Sequence, residues 1–251
     1  MRMFWAGFAL VVLSVGAPAQ QNDCKTAIGI PCYTLHGTLT QWDARSLNPH
    51  KVERLREDSV RAVRKDGSNV STRKALFEDL WGRSLGTQEA SQMYLAPENA
   101  VVQISQTKRQ ISRREPMIWH DLPYRRSEDN DSTCQTGVRH FGTDLKLQGT
   151  STVVGIPVVK WTRTLSNGTE DHYLAPSLDC TELKGEKVIR GALWIPLFMQ
   201  HWEVTALELG EPSAGLFTLP IGYTQIEDPH RARLEQFLQL NGGRGRLPQK
   251  R

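Results

Sequence analysis

The chain has 251 residues, with 31 Lys and Arg against 27 Asp and Glu, a formal charge of +4. At 39% hydrophobic and 23% charged it has the balance of a folded protein, which excludes a wholly disordered chain, a collagen and a coiled coil. So mild a positive charge gives no reason to expect a nucleic-acid partner.

Arg2 is followed by an apolar run from Met3 to Val15 and then by Ala17-Pro18-Ala19. This is the pattern of a secretory signal peptide over residues 1–19. The run is shorter than the ~20 residues a membrane span needs, and no later stretch is longer. The mature chain is therefore expected as a soluble exported protein, periplasmic or secreted, and not as an integral membrane protein. Gln21-Asn22-Asp23 before Cys24 is a poor lipoprotein signal, so Cys24 reads as an ordinary cysteine. With Cys32, Cys134 and Cys180 it makes an even set, which in an exported chain favours two disulfides. Three pairings are open, and the local one, Cys24–Cys32 with Cys134–Cys180, is preferred. The spacing lacks the close Cys or His pairs of a zinc site.

Tyr33, Leu35 and Leu39 alternate with polar neighbours, which predicts a first strand. Val52, Leu55 and Ala62 fit a helical stripe over 51–63. Asp66-Gly67 instead argues for a hairpin pairing Ser59–Lys65 with Ser68–Lys74. Ala75–Trp81 is a short helix or strand, Ala100–Ile111 a strand, and Met117–Leu122 a short apolar piece. A polar loop over 123–133 leads to Cys134. Beyond it, Leu145–Val154, Pro157–Leu165 and Glu170–Leu174 read as strands, separated by a Gly155 turn and by the Ser166-Asn167-Gly168-Thr169 hairpin. Lys187–Pro196 and Leu197–Leu209 follow. Connections this short make an antiparallel meander. Asp228 and Pro229 open a C-terminal helix whose apolar face is Leu234, Phe237 and Leu238, and Asn241-Gly242-Gly243 stops it.

The expected fold is mainly β with few helices (α+β): a curved antiparallel sheet or half-barrel packed against the C-terminal helix. Residues 20–241 form one β-rich domain with an internal boundary near 134, and 242–251 form a basic tail. Along the last long strand, Phe198, Trp202, Val204 and Ala206 share a face. With Trp161, Trp194 and Phe237 they form either closed core or an apolar groove, and such grooves bind ligands or partners.

Three stretches carry a resemblance. They are Gly155-Ile156-Pro157-Val158-Val159-Lys160-Trp161, Tyr173-Leu174-Ala175-Pro176-Ser177-Leu178-Asp179-Cys180, and Leu216-Phe217-Thr218-Leu219-Pro220-Ile221-Gly222-Tyr223. Over 134–224 the chain resembles exported bacterial proteins of unknown function whose sheets are similar to the half-barrel of LolA-like lipoprotein carriers. The resemblance implies a concave apolar face that shelters acyl chains, and no catalytic residues.

The remaining chemistry is sparse. None of the seven histidines forms an i, i+4 metal pair. Asp171 and His172 are neighbours on a strand and so point to opposite faces. Gly149-Thr150-Ser151 lacks the second glycine of a nucleophile elbow. The basic runs Arg61–Lys65, Lys108–Arg114 and Arg125–Arg126 read as solvated faces, with an anionic lipid or polysaccharide partner as the minor alternative. The sequence thus predicts a non-enzymatic binding or carrier protein without cofactor or metal, taking an apolar or acyl ligand or a partner's apolar segment. The alternatives are a cell-envelope protein–protein interaction subunit and, behind it, an uncharacterised hydrolase.

Overall fold

A computed structural model describes residues 24–27, 29–43, 53–79, 82–116, 132–135, 145–191 and 196–227. Its strands form one open, curved, 12-stranded sheet in the order β12-β6-β5-β4-β3-β2-β1-β11-β10-β9-β8-β7. The first half is a meander of β1 (Tyr33–Asp43), β2 (Glu53–Val63), β3 (Asn69–Glu78), β4 (Ser84–Leu95), β5 (Ala100–Ser105) and β6 (Gln110–Arg114). The second half is a meander of β7 (Leu145–Val153), β8 (Ile156–Leu165), β9 (Gly168–Ala175), β10 (Thr181–Arg190) and β11 (Pro196–Leu209). The two join where β1 pairs with β11. β12 (Thr224–Ile226) adds to β6 in parallel; the other pairings are antiparallel.

The main departures from expectation have local causes. The helical stripe over 51–63 is overridden, because β2 finds paired neighbours on both sides in β1 and β3. β4 carries polar residues through most of its length and gives little periodic signal. Ala100–Ile111 is broken by a turn at 106–109, where Arg109 takes a φ of 51°. At the Asp66-Gly67 hairpin only Gly67 has positive φ (86°), and Asp66 Oδ1 accepts a 2.8 Å bond from the Ser68 N–H. The loop is therefore wider than a two-residue turn.

One repeat went unread in the sequence. Tyr94-Leu95-Ala96-Pro97 and Tyr173-Leu174-Ala175-Pro176 each end a strand and enter a 3-10 turn with proline at its start. Each turn closes on a left-handed residue, Asn99 (φ 44°) or Asp179 (φ 54°). Asn and Asp tolerate that conformation because their short side chains bond locally.

Apolar residues pack on both faces. Ala62, Val70, Met93 and Val102 are register partners across β2–β5 and so share a face. With Ile104 and Ile111 they are covered by Leu216, Phe217 and Tyr223. The covering segment includes the 3-10 turn Ala214–Phe217, capped by Ser213. The expected C-terminal helix lies outside the described residues, so this turn and Tyr223 are the cover observed. On the opposite face, Tyr33, Leu35 and Val63 pack with Trp202, Val204, Leu178 and Leu183 beneath Ile30. A third cluster gathers Val159, Trp161 and Leu174 around Cys134.

Cys24 is bonded to Cys32 and Cys134 to Cys180, the local pairing. The first loop is anchored to the sheet by Gly210 N–H donating to Cys32 O at 2.9 Å. The second is held by Trp161 Nε1–H donating to Thr133 O at 2.8 Å. Two closed disulfides fit an oxidising compartment. No helix among the described residues is long and apolar enough to cross a membrane.

Candidate functional site

Most of the residues expected to line an apolar groove or a closed core lie among the described residues. Trp161, Phe198, Trp202 and Val204 are buried, at 7%, 9%, 9% and 1% exposure, and fall in more than one packed region. Trp194 and Phe237 lie outside the described residues. Ala206 leaves the shared face, because a register shift puts Val204 opposite Gly37 and Ala206 opposite His36. Trp202 lies flat against Gly37, with the Arg61 guanidinium 5.2 Å from its ring centroid.

The titratable groups of β8–β11 form a lattice of cross-strand partners. Asp171 accepts from Thr162 Oγ1 at 2.5 Å and pairs with Lys160 Nζ at 2.8 Å. That hydrogen bond holds the Lys160 ammonium charged and raises its pKa, against the opposing effect of burial. Lys160 and Lys184 lie over opposite sides of Tyr173 in the register, 5.3 and 5.5 Å from its centroid. Burial would raise the Glu170 carboxyl, but the Arg163 hydrogen bond and the charges of Lys187, Arg163 and His172 hold it below its ordinary value. His172 is buried with Nδ1 2.7 Å from Glu182, and His201 sits between Glu186 (3.5 Å) and Glu203 (3.0 Å). These carboxylate partners make the two histidines part of the sheet's cross-strand cement. Cys24, Cys32 and Glu211 lie close enough to suggest ligands, but the disulfide consumes both sulfurs.

Two grooves remain. The larger, about 700 Å³, lies where β2, β1, β11 and β10 run side by side. Its floor is one register row: Glu78, Arg54, Trp42, Met199 and Val188 on five adjacent strands. Trp42 and Val188 are half-buried, and Met199 is 42% exposed. Two strand positions further on, Arg56, Thr40, His201 and Glu186 form the next row. An apolar strip is thus rimmed by charges of both signs.

The second groove, about 470 Å³, lies on the opposite face, across β3, β4, β5 and β6. One register row is Ser71, Gln92, Gln103 and Ser112, and the next is Arg73, Ala90, Ser105 and Gln110. Lys108 overhangs it from the β5–β6 turn, and among the described residues no carboxylate lines it. Ser112 is buried at 6% exposure, and among the described residues the buried Ser71 Oγ has no hydrogen-bond partner.

Sequence reading missed both sites, because each is assembled by register between strands far apart in the chain. The available signal was the alternation of β11, which puts Met199 and His201 on the face opposite the core pair Trp202 and Val204.

No family model matches the chain, and no curated protein matches it. Among solved structures it is similar to MucB in the MucA/MucB complex of Pseudomonas aeruginosa, at 15% identity and a TM-score of 0.39, over 77% of this chain and 58% of that one. It is similar to PNGF-II at 10% identity and a TM-score of 0.37, over 82% of this chain and 33% of that one. A β-barrel-like protein of unknown function from Brucella abortus is similar at 9% identity and a TM-score of 0.27, over 72% of this chain and 98% of that one. The chain spans under two thirds of the length of MucB. These distant likenesses show no family.

Proposed function

We propose that the protein is an exported, non-enzymatic binding module whose larger groove takes an apolar segment of a partner protein. The observation that carries the reading is the strip Trp42–Met199–Val188, open to solvent at Met199 and rimmed by charge. Exposed apolar surface of this kind lowers its free energy by leaving water against another apolar surface, at about 25 cal/mol per Å². The rim favours a peptide over a fatty acid. A fatty-acid head group needs only cations, whereas Glu78 and Glu186 stand here beside Arg54, Arg56 and Lys187. An amphipathic segment with Leu or Phe flanked by Lys and Glu would satisfy both signs.

Fluorescence anisotropy of the mature protein against a labelled amphipathic Leu/Lys/Glu peptide tests this. Saturable binding that weakens ten-fold or more in Met199→Glu is expected, with a fluorescent fatty-acyl probe competing poorly. Binding indifferent to Met199→Glu would remove the groove from the account. Tight saturable binding of the acyl probe alone would turn the reading to a lipid carrier.

A further inference from the structure

We propose that the polar groove on the opposite face is a second site, which binds an anionic oligosaccharide. Its lining gives the chemistry. Ser71, Gln92, Gln103 and Ser112 stand on four adjacent strands in one register row. Hydroxyls and carboxamides both donate and accept, as sugar hydroxyls require. The spacing of adjacent strands, ~4.8 Å, is close to the length of one pyranose unit, so a row of polar side chains offers about one contact per sugar. Arg73 and Lys108 add two cations; among the described residues neither has an ion-pair partner, and no carboxylate lines the groove. The charge balance selects an anion. The Ser71 hydroxyl, buried at the floor, has no hydrogen-bond partner among the described residues.

The same features weigh against an acidic peptide. Extended peptides gain much of their affinity by adding a strand to a free sheet edge. Here every strand of the floor is paired on both sides, since β6 is itself flanked by β12. The groove offers side-chain contacts and no main-chain edge.

Calorimetric titration of the mature protein with dextran sulfate oligomers, neutral dextran oligomers and oligoglutamate of matched charge tests the proposal. Saturable binding is expected for the sulfated sugar, at least ten-fold weaker binding for the neutral one, and weaker binding still for oligoglutamate. Combined Arg73→Ser and Lys108→Ser substitution should weaken the sulfated sugar ten-fold or more. Gln103→Leu and the more exposed Gln92→Leu should each weaken it several-fold with an unchanged salt dependence, because they remove hydrogen bonds and no charge. Met199→Glu, on the other face, should leave it unaltered, so the two sites fail or stand independently. Equal affinity for oligoglutamate, or affinity insensitive to both glutamine substitutions, would overturn the assignment.

Discussion

Gly37 is the position where one added carbon tests the packing most sharply. A Cβ there would lie 2.2 Å from Trp202 Cη2, 2.7 Å from Cζ3 and 2.8 Å from Cζ2. Carbon atoms rest at about 3.5–4.0 Å, so the indole must retreat by more than about 1 Å. It has little room, because it packs with Leu35, Val204 and Leu183 and lies under Arg61. Gly37 does not have positive φ, so the backbone accepts alanine and the clash alone sets the cost. Overpacking of this kind costs typically 1–3 kcal/mol. Urea denaturation of Gly37→Ala should show that loss at unchanged slope. In a Trp202→Phe background, which removes the colliding ring atoms, the cost of Gly37→Ala should fall by at least about 1 kcal/mol, the coupling expected of residues in contact. A Gly37→Ala protein within 0.5 kcal/mol of the parent, or additive effects in the double variant, would refute the reasoning.

The two disulfides should differ in worth. Cys134 and Cys180 are 46 residues apart and Cys24 and Cys32 only 8. In the chain-entropy treatment these loops are worth roughly 4 and 2.6 kcal/mol. Thermal melts of the paired Cys→Ser variants should therefore show the larger loss for Cys134/Cys180, and the reverse order would contradict it. Acid stability should trace to Glu170. Its folded pKa lies below the unfolded value, so its contribution is fully present above the unfolded pKa and is lost as pH falls through the folded one. Glu170→Gln should flatten the acid limb of stability against pH, followed by denaturant melts, and an unchanged limb would remove Glu170 as its source.

The strand-built body was legible because turn chemistry and alternation act locally. Val154-Gly155 closes β7 onto β8 with positive φ at both residues (42° and 80°), as a tight hairpin demands. The cysteine pairing followed chain order. β4 was not legible, since its stability comes from neighbours on both sides and not from its own periodicity. The paired Tyr-Leu-Ala-Pro turns were written in the sequence and became recognisable as equivalent only once both were seen to link adjacent strands. For Trp202 and Trp161 the sequence left closed core and apolar groove both open, for a different reason. Alternation assigns a side chain to a face, and only the register of distant strands decides whether that face is covered.

Binding by this protein is expected to occupy the Trp42–Met199–Val188 strip. The most direct measurement is photo-crosslinking of the protein with an amphipathic peptide carrying photoreactive leucine, followed by peptide mapping. Adducts on β1, β11 and β10 at and beside Trp42, Met199 and Val188, abolished by excess unlabelled peptide, are predicted. Adducts confined to other strands, or undiminished by competitor, would contradict it.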